Sequence, residues 1–280
     1  MKKFVKMALA AAVASFSFAA SAGPILIDDF STSQLNLYDQ NSTDGGIASA
    51  KVGAGIIGTQ RELFVNKVGA SSSNPNPLDP DATPTGVKIG VANGALAFSS
   101  DTGDNGYAVV RWDGLTTTNA AGFTAGGYNG IDVDGLGDID FSAEAVGFLL
   151  TVISSDSGFP FTINIYSPSG AGTSLTLGAL GVPTGTGPKD FYIPFSDFFG
   201  ANINNASPDP VTGIINRTSF GGGVDFAHIG ALEAIINTGG AIPDVDIRLD
   251  LVQAVPEPES LALVGLGLLG LAASRRRKSK

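Results

Sequence analysis

Aspartates alternate with other residues in one stretch of the chain, Asp132-Val-Asp134-Gly135-Leu-Gly137-Asp138-Ile-Asp140. Calcium prefers about six to eight oxygen ligands, and closely spaced aspartates supply several of them. The spacing departs from the EF-hand loop: with Asp132 and Asp134 at its third and fifth positions, Gly130 and Phe141 stand where carboxylates are required. The stretch is therefore interpreted first as a solvated turn between strands, with calcium binding as the alternative.

His228 is the only histidine, and the chain contains no cysteine. These counts exclude disulfides, thiol catalysis and the usual zinc sites. A nucleophilic triad needs a serine and a carboxylate beside the histidine, and the stretch Asp225–Gly230 shows no nucleophile elbow. His228 is therefore expected to be a structural, hydrogen-bonded residue.

Aromatic side chains are the other candidates for ligand contact, because an exposed ring stacks on a pyranose in a sugar-binding sandwich. Trp112 is the only tryptophan, but its same-face neighbours Ala108 and Val110 are apolar, which predicts that the indole is buried. The weaker stacking candidates are Tyr107, Tyr128, Tyr166 and Tyr192.

Short strands must position these residues. In the stretch 244–252, apolar residues alternate with charged ones, which predicts a half-buried strand with Val245, Ile247, Leu249 and Leu251 on one side. The segments 107–114 and 161–166 predict further strands. With 38 glycines, 15 prolines and no long segment of helical period, the chain is predicted to form one all-β domain of strands and turns.

Blocks spread over most of this domain resemble a known fold family. Ile27–Phe30, Phe191–Phe198, Asp225–Leu232 and a closing acidic strand occur in the order found in carbohydrate-binding-type jelly rolls of the galactose-binding-like group. The resemblance implies an antiparallel β-sandwich of jelly-roll type with its first and last strands close together. It also implies a face or edge that binds sugar and, commonly, a structural calcium.

That adjacency suggests a second calcium site. If the terminal strands are neighbours, the outward carboxylates of Asp28, Asp29 and Asp250 are expected to converge on one ion. The alternative is a set of edge-strand charges that discourage aggregation between sheets. No other cofactor is predicted.

The amino-terminal residues have the layout of a secretory signal peptide. Three lysines precede an apolar stretch from Met7 to Ala20, and Ala20-Ser-Ala22 matches the small-residue pattern before a cleavage site. Cleavage is predicted between Ala22 and Gly23, which assigns residues 1–22 to the leader. The alternative is an uncleaved anchor, for which the stretch is short, since a span needs about 20 residues.

The carboxyl-terminal residues combine three unlike elements. Pro256-Glu257-Pro258 is followed by 13 apolar residues, 261–273, and then by Arg275, Arg276, Arg277 and Lys278. As a helix the apolar run reaches about 20 Å, a marginal span. The basic residues favour the cytoplasmic side, and the prolines keep the preceding stretch extended.

This tail resembles the PEP-CTERM sorting signal. The resemblance implies processing by an exosortase, a membrane-embedded transpeptidase, after transient inner-membrane insertion through residues 261–273. It implies a location first in the inner membrane and then at the cell surface or outside the cell. The sequence thus divides into a leader, a β-sandwich domain at 23–254 and a sorting signal with a short apolar helix at 255–280. An ordinary tail anchor is the alternative.

The net charge of the domain excludes some classes of binding partner. Without the leader and the tail, it keeps 8 basic and 24 acidic residues, a net charge of −16. Such a surface repels nucleic acid and anionic lipid. Glycoside hydrolysis needs two carboxylates about 5–10 Å apart, and any chain this acidic contains such a pair, so their existence is not evidence for an enzyme.

The expected function is that of a non-catalytic surface or matrix protein that is associated with exopolysaccharide and binds glycan through a sandwich face. A secreted polysaccharide-active enzyme and a purely structural surface protein are the alternatives. A pocket with two close carboxylates would favour the enzyme, and a flat face with exposed aromatic rings would favour the glycan binder.

Overall fold

Two antiparallel sheets contain the strands of the described residues. The computed structural model describes residues 23–69, 86–115, 123, 130–156, 158–180 and 187–256. The seven-stranded sheet consists of β1 Ile25–Asp28, β2 Gln34–Asp39, β5 Val87–Ala92, β6 Ala95–Ser100, β8 Gly147–Ser155, β11 Lys189–Pro194 and β15 Asp246–Val255. The eight-stranded sheet consists of β3 Ile47–Val52, β4 Gln60–Val68, β7 Asn105–Trp112, β9 Phe159–Tyr166, β10 Gly172–Leu180, β12 Ile203–Asn204, β13 Ile214–Phe220 and β14 Ala231–Ile236.

The strand order is that of a jelly roll. One sheet contains the order β6-β15-β8-β11, and the other contains β7-β14-β9-β10. The pairs β6 with β15, β7 with β14, β8 with β11 and β9 with β10 step inward along the chain, as in a rolled antiparallel ribbon. The predicted all-β sandwich of jelly-roll type is therefore confirmed.

Helical structure is minor in this part of the chain. The described residues contain three short 3₁₀ turns at Ile57–Thr59, Phe195–Phe198 and Thr238–Gly240. The predicted short apolar helix of the sorting signal lies outside the described residues, as does the leader. Among the helices that are described, none is long and apolar enough to cross a bilayer.

The main core lies between the two sheets. Phe148 on β8 is 3% exposed and packs edge-on against Phe195 at a ring-centroid distance of 5.0 Å. Phe195 in turn stacks on Phe226 at 3.8 Å. This aromatic cluster fixes the start of β8 and the turn after β11 from inside the sandwich, so the outward residues of the two strands keep a fixed register.

The final strand shows one departure from the predicted alternation. Val245, Ile247 and Leu249 belong to the core, as predicted, but Val252 takes the next inward position in place of Leu251. The cause is an irregularity in the pairing of β15 with β8 between Leu249 and Leu251. An irregularity of this kind reverses the faces of all later side chains, so the prediction for Leu251 was wrong.

The predicted closeness of the first and last strands is confirmed. β1 pairs antiparallel with β15, and Ile25 lies opposite Ala254. The entry and exit of the described domain therefore lie side by side at one rim of the seven-stranded sheet.

Candidate functional site

The structure separates the aromatic stacking candidates by exposure. Trp112 is 3% exposed, which confirms the prediction that it is buried, and Tyr107 and Tyr166 are 4% and 1% exposed. Tyr128 lies outside the described residues. Tyr192 is 40% exposed, so of these candidates it is the one whose described ring is open to a ligand.

Tyr192 packs closely over a glycine of the neighbouring strand. It lies on β11, and its ring covers Gly147 on the neighbouring strand β8. A Cβ atom on residue 147 would lie 2.5, 2.6 and 2.7 Å from Cε2, Cζ and Oη of Tyr192. The Tyr192 hydroxyl also donates a hydrogen bond to the carbonyl oxygen of Val146 at 3.4 Å. The ring thus rests on the backbone of β8 while 40% of the residue stays exposed, which makes a preformed aromatic platform.

Half-exposed residues extend this platform across the outer face of the seven-stranded sheet. Leu149 pairs with Tyr192 on one side and with Gln253 on the other, and Gln253 pairs with Leu26, which is 40% exposed. Thr151 on the same face donates its hydroxyl to Asp190 Oδ1 at 2.7 Å. Apolar carbon and hydrogen-bonding groups therefore alternate beside the ring, a surface suited to a polyhydroxyl ligand.

A groove begins at the edge of the sheet next to Tyr192. It has a volume of about 400 Å³ and is lined by Leu177, Gly178, Phe191, Tyr192, Ile193, Asp197 and residues 208–213. Strand β11 is the edge strand here, and an edge strand presents backbone N–H and C=O groups that its sheet does not use. We call this space the Tyr192 groove.

A hydrogen-bonded turn forms the far wall of the Tyr192 groove. Asp209 Oδ1 accepts the backbone N–H groups of Val211 and Thr212 at 2.9 and 2.8 Å, and the Thr212 hydroxyl at 3.0 Å. The Thr212 N–H, followed by that of Val211, holds the pKa of Asp209 below its usual value. Gly213 closes the turn at φ 74°, a conformation that favours glycine. The wall is thus set by local bonds before any ligand arrives.

Charge at the groove comes from carboxylates. Burial raises the pKa of Asp197, while the nearby Arg217 opposes this rise. Arg217 itself is turned to backbone, since its Nη1 donates to the carbonyl oxygen of Asp197 at 3.0 Å. Such a groove offers hydrogen-bond acceptors to hydroxyl groups and disfavours anionic ligands.

The outer face of the eight-stranded sheet is built differently. Arg111 donates to Glu233 Oε2 from Nη2 at 2.7 Å and from Nε at 3.0 Å, and its Nη1 lies 3.7 Å from Glu62 Oε2. Asn164 donates to Glu233 Oε1 at 2.8 Å. Phe123 covers the guanidinium with its ring centroid 4.2 Å away. The two carboxylates are buried and paired with Arg111, so their charges are engaged within the protein.

The calcium set predicted from Asp28, Asp29 and Asp250 is not brought together. Asp28 is fully buried and accepts two bonds from Arg61 Nη1 at 2.9 Å and one from Trp112 Nε1 at 2.9 Å. Burial raises the pKa of Asp28, and Arg61 opposes the rise. Asp29 Oδ1 accepts the N–H of Ser31 at 2.9 Å, and Asp250 is exposed.

The outward orientation expected for Asp28 is therefore wrong, because Arg61 of the opposite sheet draws its carboxylate inward. Among the described residues, no three carboxylate or histidine side chains are grouped to hold a metal ion. Calcium binding stays a prediction that these positions do not support.

The acidic stretch 132–140 forms a turn, as the first interpretation held. Asp132 Oδ1 accepts the N–H of Asp134 at 3.0 Å, and Asp113 Oδ2 accepts the N–H of Asp132 at 3.0 Å. His228 Nδ1 lies 2.8 Å from Asp138 Oδ1, so the expected hydrogen bond is present, although both side chains are more than half exposed. This bond with Asp138, together with the charge of Asp138, raises the pKa of His228.

Sequence reasoning missed Gly147 as a site residue. A glycine within a strand signals a close approach of another group, but the sequence does not say which group. The residues 208–213 were also missed, although Pro208-Asp-Pro210 followed by Gly213 has a composition typical of a turn.

Comparison with known proteins identifies the tail. Residues 254–278 match the family model described as the PEP-CTERM protein-sorting motif. The chain carries a PEP-CTERM sorting motif. The resemblance noted for the tail is confirmed, and the motif indicates an exported protein sorted to the cell surface. Among curated proteins, none matches this sequence.

Solved structures similar to this chain include carbohydrate-binding modules. The family 11 module from Clostridium thermocellum, solved with a β-1,3-1,4-mixed-linked tetrasaccharide, is 13% identical, with 85% of this chain and 98% of that chain covered and a TM-score of 0.36. The same family's module from the cellulase Lic26A-Cel5E of Clostridium thermocellum is 14% identical, with coverages of 85% and 96% and a TM-score of 0.37.

An exo-β-agarase is also similar, at 12% identity and a TM-score of 0.34, with 84% of this chain covered. The chain spans 25% of the length of that enzyme.

Proposed function

We propose that this exported protein binds a neutral polysaccharide of its own cell surface in the Tyr192 groove, and that it does so without catalysis. The observation that carries the proposal is the half-exposed Tyr192 ring, which packs over Gly147 and belongs to a residue that lines the groove. Because the orientation of the Tyr192 side chain is fixed before binding, little side-chain entropy is lost when a sugar ring stacks on it.

The surroundings of the ring supply hydrogen bonds of the kind that sugar hydroxyls need. Gln253 and the Thr151–Asp190 pair lie on the same face, and the edge of β11 contributes backbone groups. The domain's net charge of −16 favours a neutral polysaccharide over an acidic one.

Affinity electrophoresis tests this function. The purified protein is run in gels that contain the host's own exopolysaccharide, and the wild type is expected to be retarded. Tyr192→Ala is expected to migrate as in a gel without polysaccharide. Tyr38→Ala is the matched control, because Tyr38 is 38% exposed and lies on β2 at the opposite edge of the same sheet.

Equal retardation of Tyr192→Ala and the wild type would refute the groove as the site. Release of reducing sugar by the wild type would instead support the enzyme alternative. If the wild type is not retarded and releases no sugar, the remaining interpretation is a structural surface protein.

We also propose that an exosortase-type enzyme processes the sorting motif. The support is the match of residues 254–278, which contain Pro256, Glu257 and Pro258 and the arginines at 275–277. The intact mass of the surface-exposed protein is expected to lack residues 261–280. A mass that retains them would indicate an ordinary tail anchor.

A further inference from the structure

One carboxylate of the Tyr192 groove has no hydrogen-bond partner inside the described structure. Asp197 lies in the short 3₁₀ turn Phe195–Phe198, lines the groove and is half-buried. Among the described residues, none donates a hydrogen bond to its carboxylate oxygens and none forms an ion pair with them. The groove therefore contains a carboxylate whose acceptor oxygens are not used by the protein.

Arg217 supplies the positive charge that acts on Asp197, but its donors are engaged by backbone. Its Nη1 donates to the carbonyl oxygen of Asp197 at 3.0 Å, and its Nε and Nη2 donate to the carbonyl oxygen of Ala201 at 3.0 and 2.7 Å. A Cβ atom on residue 200 would lie 3.0 Å from Nη2 of Arg217, so Gly200 packs closely on the guanidinium. Arg217 thus holds the segment that carries Asp197 without bonding to its carboxylate.

The ionised carboxylate of Asp197 costs stability in the free protein. Burial raises the pKa of Asp197, and the attraction of Arg217 only opposes this rise. A carboxyl group with a raised folded-state pKa destabilises the fold above that pKa, and the cost disappears as the pH falls below the unfolded-state value. A residue that lowers stability and has no partner is typical of a binding site, where function rather than folding requires it.

The rest of the groove leaves Asp197 as its strongest unused acceptor. No lysine or arginine is among the described residues that line it. The other carboxylate in the lining, Asp209, already accepts three hydrogen bonds from its own turn. A carboxylate forms hydrogen bonds about twice as strong as those between neutral groups, and its two oxygens can accept from two neighbouring hydroxyls.

We propose that the two carboxylate oxygens of Asp197 accept hydrogen bonds from adjacent hydroxyl groups of the polysaccharide, so that the groove selects a neutral polymer whose neighbouring hydroxyls are unsubstituted. This inference rests on the proposed function, and it names the residue and the part of the ligand that decide specificity. An acidic substituent on the polymer is repelled by the same carboxylate, and a substituent on either hydroxyl removes a donor.

Affinity electrophoresis over a series of exopolysaccharide concentrations tests the contact. Asp197→Asn keeps the size of the side chain but removes its charge and replaces one acceptor with a donor. It is expected to weaken binding by about tenfold, the loss that follows from removing a hydrogen bond to a charged group. Asp250→Asn is the matched control, because Asp250 is exposed on β15 outside the groove lining and the variant loses the same charge. Its binding is expected to equal that of the wild type.

Thermal unfolding separates a ligand contact from a structural role. Because the ionised Asp197 is destabilising, Asp197→Asn is expected to retain or raise the melting temperature at neutral pH while it weakens binding. A lower melting temperature together with weaker binding would make Asp197 a structural residue and overturn the proposal. Equal binding by Asp197→Asn and the wild type would also overturn it.

The selection of unsubstituted hydroxyls is tested on the same gels with partially carboxymethylated exopolysaccharide. The wild type and Asp250→Asn are expected to bind this polymer more weakly than the untreated one, and Asp197→Asn is expected to show a smaller difference. An equal difference in the three proteins would assign the discrimination to the net charge of the domain and overturn the role of Asp197 in specificity.

The outcomes distinguish this inference from the proposed function. If Tyr192→Ala abolishes retardation and Asp197→Asn does not weaken it, the proposed function is supported and Asp197 is not the acceptor. If Asp197→Asn loses retardation and Tyr192→Ala retains it, the carboxylate contact is supported without the tyrosine contact on which the proposed function depends. A wild type that is not retarded would refute both.

Discussion

The two outer faces of the sandwich use polar residues in opposite ways. On the eight-stranded sheet, Glu62, Arg111 and Glu233 form a buried row under Phe123, whose ring stacks on Phe64 at a centroid distance of 5.0 Å. On the seven-stranded sheet, Tyr192 is half-exposed. The charged groups of the first face are paired with one another inside the protein, whereas the aromatic ring of the second face is partly exposed to solvent.

The comparison shows that the number of charged or aromatic residues on a face does not identify a binding face. The eight-stranded sheet has Tyr107, Tyr166 and two glutamates on its outer side, yet all of these are buried. Buried ion pairs contribute little net stability but are costly to break. The open face, with weaker sequence signals, has the geometry that a ligand needs.

Removal of Arg111 should have the largest effect. Arg111→Met leaves Glu62 and Glu233 buried without their shared guanidinium, which is expected to lower the free energy of unfolding by about 3–5 kcal/mol. Urea denaturation followed by the fluorescence of Trp112 measures the change.

Arg248→Met is the control, because Arg248 is exposed on the seven-stranded sheet and its loss is expected to cost about 0.5 kcal/mol or less. Similar losses in the two variants would remove the distinction between the faces.

The substitution Gly147→Ala should disrupt ligand binding on the face of the seven-stranded sheet, with a smaller effect on stability than Arg111→Met. Gly147→Ala displaces the Tyr192 ring that lies over this position, so retardation by polysaccharide is expected to be lost. The free energy of unfolding is expected to change by about 1 kcal/mol or less, because alanine is preferred to glycine within a strand and offsets part of the displacement. Full retardation of Gly147→Ala would show that the close packing of the Tyr192 ring on residue 147 is not required for binding.

The smallest effect concerns His228, which belongs to neither face. Its pKa is raised above the ordinary value of 6.5 by the bond with Asp138. Stability from this bond is fully present below about pH 6.5 and is lost as the pH rises through the higher folded-state pKa. Because His228 is the only histidine, one imidazole proton signal reports its titration by NMR. Asp138→Asn is expected to lower that pKa, and an unchanged titration would contradict the pairing.

Much of the fold could be predicted from the sequence because apolar alternation reports which side of a strand is buried. Trp112 was predicted correctly from Ala108 and Val110, since all three side chains enter the core between the sheets. The face on which Leu251 lies was predicted wrongly, because an irregularity in strand pairing depends on the neighbouring strand as well as on the residue itself.

The candidate site was less accessible to sequence reasoning. The orientation of Asp28 depends on Arg61, 33 positions away in the sequence, and the exposure of Tyr192 depends on what covers the other tyrosines. Alternation predicts the two faces of a strand but does not say which outer face a loop covers. The sorting motif was predictable because its three elements follow one another in the sequence and are recognised from residue type and order alone.

The pairing of Ile25 with Ala254 also makes a circular permutation of the chain feasible. Since these residues face each other across one strand spacing, about 5 Å, a short linker suffices to join them. New N- and C-termini could then be introduced in the exposed turn at 208–213, which is the kind of site where circular permutation succeeds. In such a rearranged chain the sorting signal would emerge from the far wall of the groove, away from the rim beside Gly147.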